Sequence, residues 1–520
     1  MTSTLQLESI TRTIQYRDPI LLFHHLVREG SNGLLLESAE VDSKRHLQSF
    51  LMVSAALRIS CHGRKVIIQS LTENGRRMIA PFARQLAASG TVEPVINDDG
   101  DSVEVTYPPT DKDLDEDSRL QAESVMTPLR HLQNFINVNS NLDEALFVGG
   151  LFAYDLVECF ESLPETTETG AAPNYVFYVA EQLIRLDHIE NQGQLIGSFF
   201  YEKHQQAERQ AFEEIVDATK QQCEQLSLID LPPAEPVDVE PVVDKSDEQF
   251  CGIVEQLKER ILLGEVFQIV PSRSFSMACH SPLRAYRQLR QLNPSPYMFL
   301  MQDEQFVLFG ASPEMAIKFT AENRDVQVCP IAGTRRRGKH DDGSVNHDLD
   351  GRIELELRTD IKEMAEHLML VDLARNDLAR ICQPGSRHVS RLLKVDRYSH
   401  VMHLVSEVTG QLRDGLDALH AYQATMNMGT LTGAPKVRAM QLIRALENRR
   451  RDNYGGGIGY FTGNGDMETC IVIRSAIVVD GVARVQAGAG VVYDSVPQSE
   501  ADETRTKAAA VLKALELAHV

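Results

Sequence analysis

The proline- and acid-rich stretch at residues 228–247, LIDLPPAEPVDVEPVVDKSD, constrains this chain more than any other feature. Its four prolines remove backbone donors and block a long helix, so it reads as an exposed linker. Helical patterns flank it. Residues 205–225 are rich in Glu, Gln, Lys and Ala. Residues 246–264 put Phe250, Ile253, Val254, Leu257 and Ile261 on one face behind a Ser246 cap. The expected division is an N-terminal domain 1–230, a linker 231–245 and a C-terminal domain 246–520.

The C-terminal part mixes two periods. Strands are expected at 306–310, 326–331, 471–479 and 482–487, with Asp480-Gly481 as a hairpin turn. Helices are expected at 355–373, 418–424, 435–446 and 499–518. Long helices amid antiparallel-type strands indicate an α+β fold. Residues 98–117, polar and acidic, read as a solvated loop.

Composition excludes several classes. The formal net charge of −22 opposes nucleic-acid binding, which needs clustered Lys and Arg, and opposes anionic membrane surfaces. The N-terminal residues lack a basic segment followed by an apolar one, so no signal peptide is expected. The apolar run 145–154 is too short to span a bilayer. Eight dispersed cysteines form no C-x-x-C pair and no zinc spacing, which suits a reduced, cytoplasmic protein.

Two carboxylate pairs stand out. Glu363 and Glu366, and Glu500 and Glu503, each share a helix face at i,i+3. Facing helices would present four carboxylates to one point, a hard-oxygen set suited to Mg²⁺. Solvated acidic faces are the alternative, and Ser499 with Asp502 reads as a capping box. Glycine-rich segments around Gly333, at 454–460 and at Gly488-Ala489-Gly490 allow close backbone approach to a ligand, or simply tight turns. None is a nucleotide-binding motif. Arg474 sits in an apolar strand and needs a carboxylate, from a ligand or from an internal salt bridge. Arg335, Arg336 and Arg337 read as a solvated loop. His403, between apolar residues, reads as a core histidine. No G-x-C-x-G or G-x-S-x-G elbow occurs, so the chain is not expected to hydrolyse glutamine.

Several stretches resemble the chorismate-utilising enzymes. They are Pro330-Ile331-Ala332-Gly333-Thr334-Arg335, the run from Glu366 to Asp377, Thr432-Gly433-Ala434-Pro435-Lys436, the run from Tyr454 to Phe461, and the run from Ala487 to Thr504. In the N-terminal half, Leu34-Leu35-Leu36-Glu37-Ser38 and the run from Gly149 to Asp155 resemble the family's anthranilate synthase large subunits. The resemblance implies two packed antiparallel-type β-sheets surrounded by helices. It implies that Mg²⁺ is held by Glu366 and Glu503, supported by Glu363 and Glu500. Gly333, Thr334, Tyr454, Arg474, Gly488, Ala489 and Gly490 would contact chorismate. His403, with Thr334, Gln268 and Lys436, would form the reacting set. Tryptophan would bind at Glu37, Ser38, Pro296, Tyr297 and Met298, with Gln48 standing where the family carries Lys.

Two positions narrow the reaction. Aminodeoxychorismate-forming relatives carry a nucleophilic Lys where Ala332 stands. Water-using relatives carry a Lys base where Gln268 stands. Both differences point to ammonia, delivered by a separate glutamine amidotransferase subunit. Aminodeoxychorismate synthesis and a non-catalytic chorismate- or amino-acid-binding regulator are the alternatives.

Overall fold

The computed structural model describes residues 5–38, 47–111, 113–166, 170–203, 206–226, 240–340, 342–398 and 401–518. Two long strands, Gln48–His62 and Tyr175–Asp187, pair along most of their length. Their register slips near Met52, Ser54 and Ala55, and such bulges bend a strand. Partners differ on either side of the bend. Residues 49–52 pair with Gly33–Glu37, while 57–62 pair with Lys65–Ser70. Residues 182–187 pair with Gln192–Tyr201, while 175–179 pair with Phe147–Phe152. The bent pair therefore belongs to two sheets at once.

The first sheet continues from Gly33–Glu37 through Tyr297–Gln302, Val307–Ser312, Ser475–Val479, Val482–Gly488 and Ser272–Ala278. The second continues from Phe147–Phe152 through Gly457–Thr462, Met467–Ile471, Met315–Thr320, Asp325–Val328 and Val401–Gln411. Strand alternation splits the core. Phe299 and Met301 face Phe147 and Leu151 between the sheets. Met298 and Leu300 face outward, into a core that includes Tyr286, Leu289, Val511 and Leu515 of two covering helices. Val148 and Phe152 face the opposite outer layer, with Phe82, Leu132 and Tyr422. The expected α+β architecture, two packed antiparallel-type sheets surrounded by helices, is the observed one. No helix among the described residues is long and apolar enough to cross a membrane.

Both sequence halves contribute strands to each sheet, and buried ion pairs tie them further. Arg58 meets Asp303 at 2.9 Å, and Arg444 meets Asp155 at 2.5 Å. Removing one partner of such a pair costs about 3–5 kcal/mol. Most of the expected linker lies outside the described residues, but Val242–Val243 pairs with Ser272–Ala278.

Local expectations need several corrections. The helix expected at 355–373 is two, His347–Thr359 and Ile361–Ala379, divided at Asp360, whose carboxylate caps the second. The strand expected at 471–479 is broken at 472–474. The expected loop 98–117 contains the strand Ser102–Thr106, which buries Val103 and Val105. The last helix starts at Pro497, so Ser499 lies inside it and caps nothing. Arg337 is no solvated loop residue: its guanidinium binds Asp350 at 2.9 Å. The Asp480-Gly481 turn does have both residues at positive φ, 48° and 75°, as a type I′ hairpin requires.

Candidate active site

Two strand crossings build the site. Val307–Ser312 in the first sheet continues as Met315–Thr320 in the second, and its neighbour returns as Met467–Ile471 and then Ser475–Val479. Between the sheets the ladder opens at Pro313-Glu314 and Val472-Ile473-Arg474. Only two backbone bonds clasp the gap, Ile471 N–H to Glu314 O at 3.0 Å and Ala311 N–H to Arg474 O at 3.1 Å. Arg474 sits at φ 50°, a conformation that costs a non-glycine residue about 1–2 kcal/mol. The crossings open onto a cavity of about 580 Å³.

Arg474 reaches this cavity from behind, and no carboxylate among the described residues pairs with it. Burial lowers its pKa, partly offset by Tyr454 and Glu503. An uncompensated enclosed cation is costly, so this wall suits an anionic ligand. Among the described residues the internal salt bridge left open by the sequence does not form.

The carboxylates line the other side. Glu363 and Glu366 project from Ile361–Ala379, and Glu500 and Glu503 from Pro497–Leu517. Glu363 is held by Arg335 at 2.8 Å and Glu503 by Lys507 at 2.6 Å. Glu366 has a neutral partner, the Gln268 amide, at 2.6 Å. Burial, and then the charge of Glu363, raise its pKa. Glu500 is likewise raised, first by burial. A divalent cation fits this donor set: the oxygens are hard, and Glu366, a carboxylate with no cationic partner among the described residues, is held only by a neutral amide. Among the described residues no three His, Cys, Asp or Glu side chains already form a closed metal cluster.

The floor is backbone and imidazole. A bulge puts Gly333 at φ 81° and Thr334 opposite His403. The Thr334 hydroxyl lies 2.9 Å from His403 Nδ1. Burial, then the Arg474 charge, push the imidazole down to about 3, so His403 is neutral at pH 7. It is both a buried residue and a cavity-lining one. Tyr454 lies behind Gly488, where a Cβ would come within 2.9 Å of the phenol oxygen. At Gly490 a Cβ would come within 2.8 Å of Gln268 Nε2 and 3.3 Å of Glu366. Glycine at both positions keeps the cavity open.

A family model described as chorismate binding enzyme matches residues 95–513. The chain belongs to the chorismate-binding enzymes. It is 52% identical to anthranilate synthase component 1 of Vibrio parahaemolyticus, over 99% of this chain and 94% of that protein. It is 53% identical to the Escherichia coli protein of that name, over 99% and 98%. The crystal structure of anthranilate synthase component I from Streptococcus pneumoniae superposes with a TM-score of 0.69 at 27% identity, covering 96% of this chain and 99% of that one.

Two expected residues lie off the cavity wall. Lys436 turns away, its ammonium held by Asp377 at 2.5 Å and the Thr425 carbonyl at 2.6 Å. Ala489 faces the core, and its N–H is spent on the Pro271 carbonyl at 3.1 Å. One residue was missed. Glu314 lines the cavity at the strand crossing, and burial pushes its carboxyl up to about 8. The signal was available: an acid after Pro313, inside the apolar run 307–319.

A second cavity, of about 510 Å³, lies at the rim of the inter-sheet core. Glu37, Ser38, Tyr297 and Met298 line it, with Gln48, Phe50, Lys318, Tyr460 and Glu468; Pro296 is adjacent in sequence but not on the wall. The Glu37 carboxylate is already engaged, by the Tyr286 hydroxyl at 2.5 Å and Arg290 at 3.1 Å. It is therefore not free for the ammonium pairing its position suggests.

Proposed function

We propose that this chain converts chorismate and ammonia to anthranilate and pyruvate, and that tryptophan inhibits it from the second cavity. The observation that carries the reading is Arg474, a cation with no carboxylate partner among the described residues, lining the same cavity as a carboxylate cluster. Chorismate is a dianion. One carboxylate would meet Arg474 near the Tyr454 hydroxyl. The ring carboxylate would face the glutamates, where Glu366 and Glu503, backed by Glu363 and Glu500, would hold Mg²⁺. That ion would supply electron withdrawal through the ring carboxylate.

The remaining steps fall to the chain's own groups. Gln268 is fixed by Glu366, and its buried Oε1 has no hydrogen-bond partner among the described residues. That oxygen would accept an N–H bond from ammonia and aim the nitrogen at C2. Neutral Ala332 and Gln268 offer no competing nucleophile or base. Glu314, protonated at pH 7, would give its proton to the departing C4 hydroxyl. His403, neutral and oriented by Thr334, would take the C2 proton as pyruvate leaves and the ring becomes aromatic. The test is fluorescence in a mixture of the chain, chorismate, an ammonium salt and magnesium. Anthranilate fluorescence that vanishes with EDTA is the expected result. Accumulated aminodeoxychorismate, or unchanged chorismate, would sink the reading.

Glutamine use would require an amidotransferase partner. Leu262, Leu263, Phe267 and Val437 are exposed, with Phe267 at 72% and next in sequence to Gln268. We assign this patch to the partner's contact, since ammonia would then emerge beside Gln268. Phe267→Asp should weaken glutamine-dependent synthesis in the complex roughly tenfold or more, the ~1.4 kcal/mol or greater cost of burying a charge at an interface. Ammonium-dependent synthesis should be unchanged. Equal loss of both activities would refute the assignment.

Tryptophan suits the second cavity through its aromatic wall, Phe50, Tyr297 and Tyr460. Coupling to the first cavity has a short route. Asn293, Pro294 and Ser295 line the first, while Tyr297 and Met298 line the second. Glu314 and Met315 divide the same way. Ser38→Leu should abolish an inhibitory coupling of about 1–3 kcal/mol and leave uninhibited turnover within about twofold. Inhibition curves that superpose on the wild type would place the effector elsewhere.

A further inference from the structure

Cys61, near the end of Gln48–His62, is fully buried, and Cys159, closing the short helix Tyr154–Cys159, is half-buried. Their thiols donate to one carbonyl, Gly63 O, at 3.3 and 3.1 Å. The two thiols therefore converge on a single acceptor oxygen. Asn174 fixes both segments. Its side-chain oxygen accepts from Gly63 N–H at 2.8 Å, its side-chain amide donates to Asp155 O at 2.9 Å, and its backbone N–H donates to Cys61 O at 2.8 Å. Neither residue takes part in the chemistry above.

We propose that Cys61 and Cys159 are a reactive dithiol that closes to a disulfide with a low-molecular-weight disulfide as oxidant. Cys159 is the more accessible and attacks first. Its thiolate displaces one thiolate from the oxidant and forms a mixed disulfide. Cys61 then loses its proton and attacks Cys159 Sγ, closing the protein bond and expelling the second thiolate. Two protein thiols are oxidised, and one small disulfide is reduced to two thiols that keep the two protons. Burial holds the Cys61 thiol high, which suits it to the second, intramolecular step, where proximity replaces reactivity. The bond would join the strand to the turn carrying Tyr154 and Asp155. The Tyr154 ring lies 5.0 Å from the Arg451 guanidinium, which also lies 5.6 Å from the Tyr454 ring of the catalytic cavity. The staple would therefore brace the layer behind that wall.

The experiment uses the folded full chain, reduced and then incubated with excess oxidised glutathione. Remaining thiols are alkylated at low pH, and the digest is read by mass spectrometry. A peptide pair joining Cys61 to Cys159, released by dithiothreitol, is the expected product. Cys61→Ser should instead retain glutathione on Cys159. A wild-type chain that stops at the Cys159 mixed disulfide, or in which Cys159 stays unmodified, overturns the proposal, and neither result depends on a variant folding.

Discussion

Glu366→Gln should reduce chorismate turnover by about 10³-fold, near 4 kcal/mol, while the metal-free protein melts no lower than wild type. The two effects have opposite signs for one reason. Glu366 is enclosed, its pKa is raised by burial and then by Glu363, and its hydrogen-bond partner is the neutral Gln268 amide. Without a cation the buried negative charge is a burden, and the isosteric amide removes it. With a cation the same charge becomes a ligand, and the amide cannot replace it. Function and stability therefore trade at this residue. Calorimetric titration with magnesium in the presence of chorismate should show heat for the wild type and none for the variant. A variant with near-normal turnover at ordinary magnesium would remove Glu366 from the metal site. A large drop in melting temperature would mean that the carboxylate is structural.

Glu314→Gln should lower kcat by about 10²–10⁴-fold with little change in KM. Burial pushes the wild-type carboxyl up to about 8. Glutamine has the same shape and the same neutrality, so binding and folding should persist. Only the transferable proton is lost. The pH dependence has a definite sign. A proton donor works while protonated, so wild-type activity is full well below pH 8 and falls as pH rises through it. Ammonia itself becomes more available with pH, so rates must be compared at equal free ammonia. Under that condition the Glu314→Gln profile should lack the alkaline limb. Stability moves the same way. Between the ordinary carboxyl value and 8, the native state holds a proton that the unfolded chain has released, so wild-type stability falls with rising pH. The variant should lack that slope over the same window. An alkaline limb that survives the substitution would assign the acid to another group.

Much of this was legible in the sequence, because periodicity and spacing are local. The i,i+3 glutamate pairs needed only helical phase. The Asp-Gly turn, the Ser246 cap and the helix 247–262 needed only short-range chemistry, and the structure has all three, including a capping box between Ser246 and Gln249. The resemblance to the family, which carries Lys at 332 or 268 in other members, let neutral Ala332 and Gln268 exclude a lysine nucleophile or base there.

The tertiary structure decided what depends on distant neighbours. Sequence left Arg474 balanced between a salt bridge and a ligand, and only the sheet crossing showed that no carboxylate among the described residues pairs with it. Lys436 stood in a matching motif, yet Asp377 and the Thr425 carbonyl claim its ammonium. Glu37 stood in the expected regulatory segment, but Tyr286 and Arg290 from a distant helix hold its carboxylate. Glu314 was overlooked because a carboxyl's pKa follows burial, and burial at residue 314 is set by elements such as Ile331–Arg336 and Gly429–Thr432. The amino-acid sequence by itself determined which groups each element could present. Which of those groups remained unspent, facing a cavity, was decided by packing, because charge pairing and desolvation act through space rather than along the chain.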